Sequence, residues 1–275
     1  MRRLMLFLPA IALLAAFVIL PAFGVMSMSL FDPDFSFKHF ERFFTLGAYL
    51  TLLLNTLETS LIVALTTALV GYPISYFIYL QKGKVQRLLL FLILIPFWMS
   101  VLVRTFAWMV LLGREGLVNW LAQWSGLTSR PIQLLFTPEA VVLAMVQILL
   151  PVQIFICFSA MSEIDVDLLR AARILGAKPR QAVLRVFVPL SLEGALTGTI
   201  ITFMLSMGFF ITPALLGGPK DQLIGNLVTT QVEQVNWAFA AAVSFILLVT
   251  TLVAIGLLRT GGQFIIRRMV YGSAR

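Results

Sequence analysis

The chain has 275 residues, of which 60% are apolar, 12% charged and 12% aromatic, and its mean hydropathy is +0.99. Soluble domains carry about 25% charged residues, so this composition excludes a water-soluble globule, and it excludes a disordered chain as well. One histidine, His39, and one cysteine, Cys157, rule out a disulfide framework within the chain and a His/Cys zinc cluster. These exclusions leave an all-α membrane protein with several spans.

Several apolar segments are long enough to cross a bilayer, which takes about 20 residues in a helix. In chain order the predicted spans are residues 4–28, 49–80, 88–112, 139–160, 185–215 and 237–258. Pro73, Pro96, Pro151 and Gly208 lie inside these segments and predict kinks that neighbouring helices can accommodate. The first segment is longer than the apolar region of a signal peptide, so we expect it to be retained. The sequence therefore predicts one transmembrane domain of six spans over residues 1–275.

Basic residues are concentrated at one set of loop ends. Fourteen of the 20 Lys and Arg residues lie at the N-terminus, between spans two and three, between spans four and five, or at the C-terminus. Most acidic residues lie in the other loops. By the positive-inside rule the basic ends face the cytoplasm, which predicts that both termini are cytoplasmic. This topology accounts for the net charge of +8, with the lipid bilayer as the partner and no expected binding of nucleic acid.

The loop between spans four and five predicts a short helix, a tight turn and a second helix. Ser162 can cap the first helix, over about residues 163–176, and Gly176 can end it. The apolar residues on one face are Leu168, Leu169, Ala172 and Leu175. The small Ala171 beside them permits close approach of a partner backbone. A helix that lies on the membrane or packs under its own bundle has the same pattern, so the residues alone leave both interpretations open.

This loop resembles the cytoplasmic motif of permease subunits of bacterial ABC importers. That motif has the form Glu-Ala-Ala, three residues, Gly, nine residues and Ile-x-Leu-Pro. The chain has Ala171-Ala172, Gly176 and Val186-Phe187-Val188-Pro189 at this spacing, with Arg170 in place of the Glu. Other stretches are similar to spermidine/putrescine-type permeases, above all to the first of the paired subunits. They are Ile95 to Trp98, Val103 to Trp108, Leu112 to Gly116, Phe136 to Pro138, Thr212 to Pro219, Leu223 to Asn226 and Asn236-Trp237.

The resemblance implies the type I ABC importer permease fold, located in the bacterial inner membrane. It implies that a second homologous permease shares the pathway and that two cytoplasmic ATPase subunits bind below. A periplasmic binding protein would deliver a polyamine such as spermidine or putrescine, or a similar small amine. It also implies a coupling helix that docks on the ATPase. The residues expected to serve this coupling are Asp167, Leu168, Arg170, Ala171, Ala172, Leu175, Gly176 and Pro189.

Three charged residues inside the predicted spans are candidate functional residues, because charge is costly there. Glu58 and Arg104 lie at similar depth in the outer parts of spans two and three, so an ion pair and a place in the pathway are both open. Glu193 lies nearer the cytoplasm. Trp98 and Trp108 offer aromatic faces that attract ammonium groups, or they belong to an interfacial aromatic belt. The expected substrate-path residues are these five.

Enzyme activity is not expected. The sequence has no G-x-x-x-x-G-K-[ST] motif, so ATP and Mg²⁺ are expected in the separate ATPase and no cofactor or metal in this chain. The sequence also lacks the constellation of acid, base and nucleophile that a membrane enzyme needs.

Other transporters stay open as alternatives. By resemblance, the same architecture handles amino-acid-like amines, aminophosphonates, thiamine or iron. An ion-coupled secondary carrier is a further alternative, but it predicts inverted repeats and acidic residues at the midplane. The sequence shows neither feature.

Overall fold

The computed structural model describes residues 13–31 and 34–272. These residues are mostly helical, and their one strand-like pairing is an isolated antiparallel bridge between Phe31 and Phe35. The helices are α1 (Ala15–Met28), α2 (Lys38–Thr45), α3 (Gly47–Leu80), α4 (Gly83–Leu94), α5 (Val101–Leu112), α6 (Leu117–Trp124), α7 (Pro138–Ser162), α8 (Val166–Ile174), α9 (Pro179–Met207), α10 (Ile211–Leu216), α11 (Ile224–Glu233) and α12 (Trp237–Gly272).

Four of these helices, α3, α7, α9 and α12, are each long and apolar enough to cross a membrane. The stretch Gly83–Trp98 and the stretch Val101–Trp124 pass the same test only as a pair, so the described residues contain four spans, or five with this pair counted as one. Of the predicted first span, 4–28, the structure describes α1 and the two residues before it. The part from residue 4 to residue 12 lies outside the described residues. The all-helical membrane fold is confirmed, and the six-span count stays a prediction.

The third predicted span, 88–112, is not one continuous helix. Helix α4 continues as a 3₁₀ turn, Ile95–Trp98, and the chain then bends by 94° before α5 begins at Val101. Pro96 causes the change, because proline has no backbone N–H to donate and its ring clashes with the preceding turn of an α-helix. The Met99 N–H closes the 3₁₀ turn on the Pro96 carbonyl at 3.1 Å. The kink expected at Pro96 is therefore a break.

The fifth and sixth predicted spans have different bounds in the structure. Helix α9 begins at Pro179 and ends at Met207, where Gly208 and a non-helical Phe210 separate it from α10. Glycine is the poorest helix former after proline, which explains why the helix stops before the predicted residue 215. Helix α12 runs well past Leu258, because the residues after it include several good helix formers and no proline.

The core lies where α3, α7 and α9 pack against one another. Gln153 of α7 is fully buried at this junction, between Gly71 of α3 and Gly198 of α9. A Cβ at Gly71 would lie 2.8 Å from Gln153 Cγ, and a Cβ at Gly198 would lie 2.7 Å from Gln153 Oε1. The Gln153 amide also donates a hydrogen bond to the Ala195 carbonyl at 3.2 Å. Small residues thus bring the three helices together around one polar side chain, as is common inside membranes.

Candidate functional site

The loop between α7 and α9 folds as the short helix α8. Asp165 is its N-cap, and the Asp165 carboxylate accepts a hydrogen bond from the Asp167 N–H at 2.9 Å. Asp167 in turn accepts from Arg170 Nη1 at 2.8 Å. After the helix, Gly176 has a φ of 90°, which favours glycine because it lies in the left-handed region. Helix α8 is therefore shorter than the predicted range 163–176.

Ser162 does not cap this helix. It is the last residue of α7, and its hydroxyl donates to the Phe158 carbonyl at 2.8 Å. Because the hydroxyl serves the preceding helix, the cap falls to Asp165, three residues further along the chain.

One side of α8 packs on the bundle and the other side is exposed. Leu169 packs against the buried cluster formed by Cys157, Met161, Phe187 and Ala195. By contrast, Ile174 and Leu175 are 86% and 87% exposed. Among the other residues predicted for coupling, Leu168, Ala171 and Gly176 are exposed, Ala172 is half-buried and Pro189 is buried inside α9. The predicted apolar face is thus divided between packing on the bundle and an exposed surface.

At the opposite end of the bundle, a cavity of about 250 Å³ lies beside the first half of α3 and contains two carboxylates. The Asp221 carboxylate accepts from the Gly218 N–H at 2.9 Å, and Asn55 donates to the Lys220 carbonyl at 3.2 Å. The lining residues are Asn55, Glu58, Thr59, Ile62, Pro138, Val141, Val142 and Asp221. No lysine or arginine is among them, so the charged groups that line this cavity are both carboxylates.

A second cavity, of about 370 Å³, has a similar composition. Helices α5, α10 and α11 line it, with a carboxylate from Glu233. Its polar neighbours include Asn226, which donates to the Phe210 carbonyl at 2.8 Å and so fixes α11 against the break after α9. The lining residues are Leu102, Phe210, Ile211, Ala214, Leu215, Gln222, Asn226, Thr229, Thr230 and Glu233, again with no basic side chain.

Sequence reasoning missed Asp221 and Glu233 as site residues. Both lie outside the predicted spans, in a turn and at the end of a short helix, where a carboxylate is ordinary. The available signal was the excess of acidic residues in these loops.

Arg104 and Trp108 contact α7 and line neither cavity. Arg104 is buried, and its Nη1 donates to the Ile148 carbonyl at 3.4 Å. Trp108 Nε1 donates to the Gln147 side chain at 3.3 Å. Within residues 13–31 and 34–272, Arg104 forms no ion pair with Glu58. The Glu58 side chain is exposed and lines the cavity of about 250 Å³. The pairing left open by the sequence is therefore absent.

Trp98 and Glu193 are placed elsewhere. Trp98 is 82% exposed and lies before the bend that separates α4 from α5. Glu193 lines a cavity of about 470 Å³ between α9 and α12, at the end of the bundle that carries α8. The five expected substrate-path residues therefore do not form one site, and Glu58 is the member that lies beside other carboxylates.

Comparison with known proteins gives the family. Residues 71–270 match the family described as binding-protein-dependent transport system inner membrane component. The spermidine/putrescine transport system permease protein PotB of Escherichia coli (strain K12) is 34% identical over 243 residues, which cover 85% of this chain and 88% of PotB. The protein of the same name from Haemophilus influenzae is 34% identical over 237 residues, which cover 83% of this chain and 82% of that protein.

Solved structures show the same fold at low sequence identity. The crystal structure of a bacterial ABC transporter that imports the acidic polysaccharide alginate matches with a TM-score of 0.72 and 18% identity, covering 94% of both chains. The MetNI methionine ABC transporter in an inward-facing conformation matches with a TM-score of 0.53 and 19% identity, covering 78% of this chain and 93% of that one. The helical architecture and the match over residues 71–270 agree: this chain is a multi-pass inner-membrane protein that belongs to the family of permease components of binding-protein-dependent transport systems.

Proposed function

We propose that this chain is one of two homologous permease subunits of an ATP-driven importer and that the transported substrate is a polyamine, such as spermidine or putrescine. The observation that carries the substrate class is the cavity at Glu58 and Asp221, which has two carboxylates and no basic lining residue. A polyamine is a flexible chain with several ammonium groups, and each ammonium group needs a carboxylate or a neutral oxygen acceptor as it leaves water. The names of the 34% identical relatives support the same substrate.

The cavity chemistry fits transport better than tight capture. Glu58 is exposed, and the polar groups that line the cavity besides the two carboxylates are one amide and one hydroxyl, so an ammonium group there keeps part of its hydration. The cavity with Glu233 repeats this chemistry near the break after α9. We propose that the two cavities are acidic binding sites for the amine groups of the substrate on the periplasmic side. Glu58 is the one member of the expected pathway set that stays in this proposal.

Partner subunits supply what this chain lacks. A second permease would complete the pathway, a periplasmic binding protein would deliver the polyamine, and two cytoplasmic ATPase subunits would hold ATP and Mg²⁺. We assign α8 as the coupling helix on this ATPase, since Ile174 and Leu175 present apolar surface that would be unfavourable in water. Arg170, which replaces the Glu of the motif, forms an ion pair with Asp167 on the surface of α8.

The topology that goes with this function has six spans and both termini in the cytoplasm. In this proposal the predicted segment 4–28 would be the first span, and the bent pair of α4 and the α5–α6 segment would be the third. Helices α3, α7, α9 and α12 are the other four. This arrangement places α8 in the cytoplasm and both acidic cavities on the periplasmic side.

Spermidine uptake by cells that carry the complete importer tests the substrate proposal. The variants Glu58→Gln and Asp221→Asn keep the size of the side chains and remove one negative charge each. We expect each to reduce initial uptake at subsaturating spermidine by about tenfold, because a hydrogen bond to a charged group contributes about 1.5–3 kcal/mol. The amount of each variant in the membrane is measured in the same cells.

Glu115→Gln is the matched control, because Glu115 is an exposed acid that lines neither cavity. It should leave uptake unchanged. Uptake that stays normal in the double variant Glu58→Gln, Asp221→Asn would overturn the assignment of this cavity to an amine.

A further inference from the structure

The cavity of about 470 Å³ between α9 and α12 has a charge pattern unlike the two acidic cavities. Its lining includes one carboxylate, from Glu193, and two guanidinium groups, from Arg259 and Arg267. Thr197 and Gln263 add a hydroxyl and an amide, and the rest of the lining is isoleucine and leucine. The basic groups outnumber the acid, so the charges of this cavity suit a ligand that carries an anionic group beside a cationic one.

The position of the cavity along both helices corresponds to the boundary between hydrocarbon and headgroups. On α12, the residues from Trp237 to Leu258 carry no charge, and Arg259 is the first charged residue after them. These 22 residues of the helix extend about 33 Å, close to the hydrocarbon thickness of about 30 Å. On α9, Glu193 is the last charged residue before an uncharged run to Met207. Both helices thus change from charged to apolar at the same cavity.

We propose that this cavity binds the headgroup of phosphatidylethanolamine from the cytoplasmic leaflet. The phosphate would accept hydrogen bonds from Arg259 and Arg267, since guanidinium groups match phosphate oxygens in charge and geometry. The primary ammonium group would donate to Glu193. The apolar lining, including Leu196 and Ile255, would contact the start of the acyl chains. Basic pockets between transmembrane helices on the cytoplasmic side bind lipid headgroups in other membrane proteins.

The carboxylate distinguishes this lipid from its competitors. An anionic headgroup such as phosphatidylglycerol satisfies the two arginines but places hydroxyl groups near Glu193, which leaves that carboxylate without a cation. Phosphatidylcholine has a cation that cannot donate a hydrogen bond. Phosphatidylethanolamine satisfies both signs of charge. The inference rests on the membrane topology and not on the identity of the transported substrate.

Native mass spectrometry of the importer, purified from the membrane with the subunits that accompany this chain, tests the proposal. The complex is delipidated and titrated with phosphatidylethanolamine, phosphatidylglycerol or phosphatidylcholine of matched acyl chains. We expect phosphatidylethanolamine to remain bound at collision energies that remove the other two lipids. The double variant Arg259→Gln, Arg267→Gln should weaken its retention at least about tenfold, which corresponds to the loss of roughly 1.4 kcal/mol.

The controls separate this site from general lipid binding. Arg268→Gln removes the same charge one residue away from Arg267, at an exposed position outside the cavity lining, and should not change retention. Glu193→Gln should reverse the preference in favour of phosphatidylglycerol, a gain that a misfolded variant would not show.

Three results would overturn the proposal. One is tighter retention of phosphatidylglycerol by the unmodified chain, and another is equal retention in the double arginine variant. The third is full competition by soluble phosphoethanolamine at the same concentration as the lipid, which would assign the cavity to a soluble ligand.

Discussion

Single small residues decide how closely the core helices approach. Gly194 of α9 faces Ala160 of α7, and a Cβ at Gly194 would collide with the Ala160 Cβ. Two Cβ atoms on neighbouring helices cannot avoid each other by a rotamer change, so relief requires movement of a backbone. Glycine at this position therefore sets the distance between α7 and α9.

Gly194→Ala is expected to destabilise the protein by about 1–3 kcal/mol, the usual cost of overpacking a core. Thermal unfolding in detergent should show a lower Tm. Gly256→Ala is the matched control, because Gly256 also lies within a helix and a Cβ there meets no atom within 4 Å. This variant should leave Tm unchanged or raise it, since alanine favours helix over glycine by about 1 kcal/mol.

A compensating change makes the cause of the Gly194 effect testable. In the double variant Gly194→Ala, Ala160→Gly the colliding Cβ is removed from the partner helix, so part of the lost stability should return. The close-contact explanation would be contradicted if Ala160→Gly lowered the free energy of unfolding of the Gly194→Ala variant by as much as it does in the unmodified chain.

The charged residues show how far sequence reasoning reaches at the residue scale. Glu58 could be predicted as a candidate for the pathway because a carboxylate in an apolar span is costly, and it lines a cavity with a second carboxylate. The hydrogen-bond partner of Arg104 could not be predicted, since a guanidinium at that depth can pair with an acid or with a backbone carbonyl. The structure places it on the Ile148 carbonyl of α7. Such a choice depends on tertiary contacts that no local pattern contains.

At the scale of elements, α8 combines an anchored side with an exposed side. Leu169 packs against the bundle while Ile174 and Leu175 face outward at the end of the helix. The Asp165 cap and the left-handed Gly176 fix the two ends of the helix. In the proposed importer, this packing would transmit a displacement of the ATPase from α8 to the bundle.

Leu175→Asp should therefore uncouple ATP hydrolysis from transport and leave the fold of this chain unchanged. Leu175 is 87% exposed in the isolated chain, so its replacement costs no core packing. In the assembled importer the new carboxylate would lie in an apolar contact, where an unpaired charge is unfavourable. We expect ATP hydrolysis stimulated by the loaded binding protein to fall at least about tenfold, equivalent to roughly 1.4 kcal/mol.

The control for this experiment is Leu175→Met, which keeps the apolar surface and should retain stimulation. Tm in detergent should be the same for both variants. Normal stimulation in Leu175→Asp would remove α8 from the contact with the ATPase.

The elements themselves could be predicted to different degrees. Helices α3 and α7 were evident from their long apolar runs, because one helix spans the whole run without interruption. The break at Pro96 was expected as a kink, and its extent could not be predicted, because proline permits both a bend within a helix and a complete stop. The cap of α8 was misplaced by three residues because both Ser162 and Asp165 are good caps, and the end of α7 decides between them.

At the scale of the whole molecule, the two ends of the bundle differ in charge and in the ligands they suit. The cavities with Glu58 and Glu233 have acids and no bases in their lining. The cavity with Arg259 and Arg267 has an excess of base and lies at the end that carries α8. If this basic end faces the cytoplasm, the protein offers carboxylates to a cation on the outside and arginines to lipid phosphate on the inside.

Cysteine labelling can establish this orientation because the chain has one native cysteine and that residue is fully buried. Ser129→Cys, in the loop between α6 and α7, and Ser162→Cys, beside α8, introduce matched exposed thiols. With a membrane-impermeant maleimide added to spheroplasts, we expect nearly complete labelling at 129 and none at 162 until the membrane is permeabilised. The unsubstituted chain should remain unlabelled in both conditions, since Cys157 is inaccessible. Labelling at 162 in sealed spheroplasts would invert the topology, and it would place α8 on the side where no ATPase can reach it.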